Sequence, residues 1–140
     1  MSVIIEEKFR NEIGEIKMKV SPYIFFNDNC AKDAAQLYEK AFNVKAHMEM
    51  TPEGVSHAQL VVGNDTIMFC DSPGEPASIG NNIMITIKFD DTTADAARAA
   101  YHILKEDGEV IMEVENTDWS KFFSLVVDKF GVKWNFCQDL

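Results

Sequence analysis

Few side chains in this sequence combine the type and the setting needed for chemistry, and His57 leads them. An imidazole titrates near neutrality and can take up or release a proton at cellular pH. The competing reading is structural: a histidine at a strand end that makes one hydrogen bond. Tyr23 carries a phenol able to polarise or protonate a substrate oxygen, against which stands an aromatic wall with its hydroxyl in water. Asn135 can bond a ligand carbonyl or amide, or satisfy a neighbouring backbone group. Met68 and Met84 offer soft, adaptable apolar surface. Cys70 and Cys137 have no cation nearby in sequence to activate a thiolate. His47, His102 and Lys88 read as surface residues, Lys88 at a cavity rim. The chain has no Gly-rich phosphate loop, no Ser-His-Asp order and no zinc-binding cysteine spacing. Asp90-Asp91 opens a helix, where capping and the helix dipole explain it.

The elements that must position these residues follow from hydrophobic period and turn chemistry. Tyr23-Ile24-Phe25-Phe26 reads as a strand. Asn27-Asp28-Asn29 then supplies turn and N-cap chemistry for a helix over about 30–42, with Cys30, Ala34, Leu37, Tyr38 and Ala41 on one face. Strands are predicted over 45–50 and 55–62 around Thr51-Pro52-Glu53-Gly54, and over 66–70 after Gly63-Asn64-Asp65. Residues 71–80, rich in Pro, Gly and Ser, read as a linker. A strand over 83–89 follows, then a helix capped by Thr92 or Thr93 and stopped by Asp107-Gly108. Strands over 109–114, 119–127 and 132–137 complete the chain, the last two joined at Asp128-Lys129-Phe130-Gly131. Residues 1–17 carry Val3, Ile4, Ile5, Phe9, Ile13 and Ile16 with neither period throughout. They read as an added strand, a short helix at a subunit contact, or a tail.

A chain of 140 residues predicts one domain with a substantial core. No apolar run reaches the length of a membrane span, and Met1–Glu7 has neither the basic region nor the long apolar core of a secretory signal. The expectation is therefore cytoplasmic, with no membrane partner. Three cysteines in apolar contexts suit reduced thiols. A formal charge of −10 without a local Lys/Arg cluster repels a phosphate backbone, so nucleic acid is not an expected partner.

The second half of the chain repeats the first as strand, helix, strand, strand, strand. Phe26 matches Phe89, Asp33-Ala34-Ala35 matches Asp95-Ala96-Ala97, and Met48-Glu49 matches Met112-Glu113. Leu60-Val61-Val62 matches Leu125-Val126-Val127, and Phe69-Cys70 matches Phe136-Cys137, all in the same order. The predicted organisation is an extension over 1–19 and a single domain over 20–140. Within it, module one covers about 20–71, the linker 72–80 and module two about 81–140. Units this small pack together rather than stand alone.

This tandem βαβββ pattern resembles the vicinal oxygen chelate superfamily, which includes glyoxalase I, extradiol dioxygenases and bleomycin-resistance proteins. Within it the chain is similar to the PhnB-like group, also called 3-demethylubiquinone 3-methyltransferase-like. The residues carrying the resemblance are Tyr23-Ile24-Phe25-Phe26-Asn27 with Asn29-Cys30, Leu37-Tyr38 with Ala41-Phe42, and His57-Ala58 with Leu60. Thr66-Ile67-Met68, Phe89-Asp90-Asp91, Thr117 with Trp119, and Asp128 with Phe130-Gly131 and Trp134 extend it over roughly 20–138. Group members often have Gly at Ser120 and Ser124, Pro at Lys129 and His at Val132. The resemblance implies an α+β fold whose modules form a curved, cavity-enclosing mixed sheet, and a homodimer. It offers no support for methyl transfer, since nothing in the chain resembles a nucleotide-cofactor fold.

Superfamily enzymes usually hold a divalent metal through His or Gln on the first strand, Glu on the fourth, His on the fifth and Glu on the eighth. The matching positions here are Tyr23, Met68, Met84 and Asn135, and two thioethers are poor ligands for a hard or borderline ion. No cofactor and no metal are therefore expected. In this architecture each half packs its helix on one sheet face and curves the other around a cavity. Strand parity then puts Ile67, Phe69, Ala58 and Leu60 under one helix, and Ile85, Ile87, Trp134 and Phe136 under the other. His57 and Tyr23 become the candidate catalytic pair. Phe25, Gln59, Met68, Met84 and Thr86 line the cavity for a ligand, as do Ser124 and Asn135, with Cys70, Lys88, Phe122 and Cys137 beside them. The functional expectation is a binder of a small, partly apolar molecule, such as a toxic metabolite or antibiotic. The alternative is an enzyme that uses His57 and Tyr23 in proton transfer, or that keeps a metal at displaced ligands.

Overall fold

The computed structural model describes residues 18–140, so the reading of residues 1–17 lies outside the described part. Module one comprises β1 (Tyr23–Phe26), α1 (Ala31–Phe42), β2 (His47–Thr51), β3 (Gly54–Val62) and β4 (Asp65–Asp71). Module two comprises β5 (Ile85–Lys88), α2 (Ala94–Lys105), β6 (Glu109–Glu115), β7 (Ser120–Val127) and β8 (Lys133–Asp139). Each module forms one four-stranded mixed sheet, in the orders β1-β4-β3-β2 and β5-β8-β7-β6. The first strand of each module pairs in parallel with the last, and the other pairs are antiparallel. The fold is thus the α+β tandem repeat, carried by two open sheets rather than by a closed barrel.

Each helix buries a stripe at helical spacing: Ala31, Ala34, Ala35, Tyr38 and Ala41 on α1, and Ala97, Ala100, Tyr101 and Leu104 on α2. Alanine lets helix and sheet approach closely, while one tyrosine per helix fills the remaining depth. The helices also pack on each other. Tyr38 and Phe42 of α1 reach the ring of Trp134 in β8, with centroids 5.4 and 5.5 Å away, so module one's helix rests on module two's sheet. Phe26 adds an edge contact to Phe130, at 6.0 Å. The two halves therefore share one core.

Asp128, at the end of β7, holds this junction. It is 3% exposed, and its Oδ2 accepts from the Tyr38 hydroxyl at 2.7 Å and from Trp134 Nε1 at 2.9 Å. Its Oδ1 accepts from the amides of Phe130 and Val132, which shapes the turn into β8. Burial, then the Asp128 charge, push the Tyr38 hydroxyl well above its ordinary pKa. Gly108 ends α2 where that same chain passes, since a Cβ there would strike the Val127 carbonyl.

The helix starts differ from expectation. No side chain of Asn27-Asp28-Asn29 caps α1; the Ala31 amide instead donates to Asp71 Oδ1 at 2.9 Å, from the far end of β4. At α2, Thr93 makes no side-chain cap bond to the helix, and its hydroxyl accepts from the Asp90 amide in a local turn. Bonds from the Thr92 hydroxyl and amide hold the Asp90 carboxyl below its ordinary pKa.

One face assignment is corrected. Ala58 stands opposite Phe69, and in module two Ser124 stands opposite Phe136. Directly opposed residues share a sheet face, so Ser124 lies under α2 as Ala58 lies under α1. Phe122 belongs there too, with its ring 5.5 Å from Tyr101 and 6.1 Å from Phe89. The matched Leu-Val-Val triplets are one residue out of structural register: Leu60, opposite Ile67, corresponds to Val126, opposite Trp134. A slip of one residue moves every side chain of a strand to the other face, which is why Ser124 and Phe122 leave the cavity wall.

Candidate functional site

The concave face of sheet one gathers residues from three adjacent strands. Tyr23 on β1 stands opposite Met68 on β4, which stands opposite Gln59 on β3, and His57 shares the face of Gln59 two residues along. The outcome is a hydrogen-bonded chain: Tyr23 Oη lies 3.0 Å from His57 Nδ1, and His57 Nε2 lies 3.2 Å from Gln59 Oε1. Because the Gln59 carbonyl oxygen only accepts, Nε2 carries a proton, and in the tautomer with that single ring proton Nδ1 is the acceptor for the Tyr23 hydroxyl. Partial burial raises the Tyr23 pKa, and the neighbouring Cys70 thiol and Glu49 add to the rise.

Apolar surface surrounds this chain. The Phe25 ring lies 5.5 Å from that of Tyr23, and the two are 49% and 42% exposed. At the seam where β1 approaches the lead-in to β5, a cavity of 440 Å³ is lined by Tyr23, Phe25, Ile79, Ile83, Met84 and Lys133, among others. The linker is fastened over it by Asn27, whose side-chain amide exchanges two hydrogen bonds with the backbone of Ala77, at 2.9 and 2.8 Å. A second hollow of 640 Å³ opens beside Tyr23, Phe25 and Cys70.

The structure thus brings Tyr23, His57 and Gln59 into contact, with Phe25 and Met68 on the same face, and carries Met84 to Tyr23 and Phe25 across the seam. Thr86 and Asn135 pair on the concave side of β5 and β8. Asn135 is nearly fully buried and donates to the Ser124 carbonyl at 2.9 Å, so its amide satisfies the backbone. Ser124 stays outside the site. Lys133 and the linker residue Ile79 were absent from the expected wall. Lys133 shares strand parity with Asn135 and Cys137, a signal present in the sequence, whereas Ile79 arrives through a linker path that no periodicity encodes.

Of the four positions expected to match metal ligands, Tyr23, Met68 and Asn135 carry a phenol, a thioether and an amide already bonded to backbone. Met84 precedes β5, and strand register puts Thr86 in the place equivalent to Tyr23. Among the described residues no three His, Cys, Asp or Glu side chains converge. Cys70 is buried, and the Cys137 thiol is pushed up in pKa by burial and by Asp139. No described helix is long and apolar enough to cross a membrane.

Comparison with known proteins agrees with this geometry. Protein YjdN of Escherichia coli (strain K12) is 26% identical over 140 residues, covering 84% of this chain and 92% of the relative. Protein PA1353 from Pseudomonas aeruginosa superposes with a TM-score of 0.73 at 26% identity, over 88% of this chain and 98% of the other. A Bacillus cereus PhnB protein, described as a putative 3-demethylubiquinone-9 3-methyltransferase, gives 0.70 at 20% identity over 86% and 99%, which speaks for the fold alone. The profile of the Glyoxalase/Bleomycin resistance protein/Dioxygenase superfamily matches residues 21–136, and the chain belongs to that superfamily.

Proposed function

We propose that the protein binds a small, partly apolar molecule on the concave face where the modules meet, with Tyr23, His57 and Gln59 as its polar recognition elements. The observation that carries this reading is the setting of the polar chain. Tyr23, Phe25 and Met84 keep large apolar surfaces open to solvent around it, at a cost of roughly 25 cal/mol for each Å² left unburied. An apolar wall with a few convergent polar groups is the usual make-up of a small-molecule site. The proposal includes no divalent ion, because phenol, thioether and engaged amide do not suit one.

A second reading, proton-transfer catalysis, is favoured by the bond from the Tyr23 hydroxyl to His57 Nδ1: an acid and a base within hydrogen-bond reach. Either reading accommodates a homodimer. The edge strand β6 leaves Val110, Ile111 and Met112 about half exposed, and a second copy is the economical cover for such an edge. Sedimentation as a monomer at micromolar concentration would remove the dimer.

The test is a thermal-shift screen of tag-free, chelator-treated protein. Aromatic and aliphatic ketones, amides and carboxylates form one arm, and Mg, Mn, Fe(II), Co, Ni and Zn the other. A compound at a hundred times its dissociation constant stabilises the fold by about 2.7 kcal/mol, which is several degrees in Tm. Shifts are expected in the organic arm only. A shift specific to one ion would overturn the metal-free proposal. His57→Ala then divides binding from catalysis: weakened affinity without any turnover favours the first, and lost turnover with retained affinity the second.

A further inference from the structure

We infer that the molecule held at the seam is an amphipathic carboxylate, its apolar body against Phe25, Ile83 and Met84 and its charged end on Lys133. This rests on the proposal that the seam is the ligand site and adds the chemical class. The observation behind it is a charge anomaly. Asp and Glu number 23 in the chain against 13 Lys and Arg, yet none of the seventeen residues lining this cavity is acidic, and one, Lys133, is cationic. In a chain of net charge −10, most surfaces repel an anion, so a cavity without carboxylates and with an ammonium at its wall is where one would settle.

Lys133 is also uncommitted. Arg98 is tied to Glu115, Lys88 to Asp139 and Lys121 to Asp91, whereas no ion pair among the described residues includes Lys133. Its one polar contact among the described residues is a long bond of 3.4 Å to the Asn81 carbonyl, which leaves two of its three protons for a ligand. Its aliphatic stem continues the apolar wall. The Tyr23 hydroxyl, also in the lining, is engaged with His57, so the charged group of a ligand finds its partner at Lys133. A single lining cation suits a monoanion better than a dianion, which selects carboxylate over phosphate.

Isothermal titration of the full chain with 1-naphthoate and its neutral counterpart 1-naphthamide tests this. Naphthoate is expected to bind about tenfold or more tightly, the scale of one hydrogen bond to a charged group. Lys133→Gln should erase that preference by weakening naphthoate far more than naphthamide, and Lys133→Arg should keep it. Equal affinities in the unmodified protein would overturn the charge assignment and leave the seam as a neutral site. A preference that survives Lys133→Gln would overturn the role of Lys133. If neither compound binds, the seam as ligand site falls with it.

Discussion

Tyr38 and Tyr101 stand at the same place in helices that begin at Ala31 and Ala94, and they meet different partners. Tyr38 donates across the module boundary to Asp128, which is buried with all its acceptor sites engaged. Tyr101 donates within its own module to Glu113, which lies on an exposed strand. The concave faces diverge as well. By strand register Thr86 replaces Tyr23, Lys88 replaces Phe25, Phe123 replaces His57 and Leu125 replaces Gln59. One backbone plan therefore holds a hydrogen-bonded Tyr-His-Gln chain in module one, and in module two Phe123 and Leu125 stand where the imidazole and amide would be. A duplicated fold keeps its register through backbone pairing, while each copy's side chains answer to their own burial and neighbours.

The largest test of this asymmetry is Asp128→Ala, which strands the Tyr38 hydroxyl, the Trp134 Nε1 and two amides in the shared core. It should cost about 3 kcal/mol or more in urea unfolding, whereas Glu113→Ala, which removes an exposed partner and opens the Tyr101 hydroxyl to water, should cost about 1 kcal/mol or less. Comparable losses would mean that the module junction does not depend on Asp128. Next comes Tyr38→Phe against Tyr101→Phe: about 1–3 kcal/mol is expected for the first, which leaves a buried carboxylate short of a donor, and under about 1 for the second.

Alkali tests the buried Tyr38 bond in another way. Folding raises the Tyr38 pKa above 10.0, so its contribution is intact below that pH and is lost as pH rises toward the higher folded value. Each such group adds a downward slope of up to about 1.4 kcal/mol per pH unit. Urea midpoints measured above pH 10 should fall less steeply in Tyr38→Phe, and an unchanged slope would contradict the buried bond. The smallest effect is expected at Ser124, whose Oγ is buried without a hydrogen-bond partner among the described residues, where module one has Ala58. Ser124→Ala should be neutral or stabilising by about 0.5–1 kcal/mol, and a clear loss would point to a bonded hydroxyl.

Much of the fold was legible because its signals are local. The strand of Trp134 and Phe136 alternates, the alanines of both helices recur at helical spacing, and Asp107-Gly108 marks a stop. Tyr23, Phe25, His57, Gln59 and Met68 could be placed on one face by parity alone. That Tyr23 touches His57 could not, since contact depends on β4 lying between β1 and β3 and on their registers. Ser124 and Phe122 were misplaced because two matching Leu-Val-Val triplets suggested a register that pairing with β8 overrides by one residue. The α1 start was misread because Asp71, forty residues away, replaces a local cap.

What the sequence by itself determined is the duplicated βαβββ order and most apolar faces, which rest on short-range periodicity and on matches between the halves, and, through its resemblance to known motifs, the superfamily. The tertiary structure decided which edges meet, which buried carboxylate joins the modules, and which lysine stands at the seam. Those depend on sheet order, strand register and linker path, where one residue of slip exchanges core for cavity.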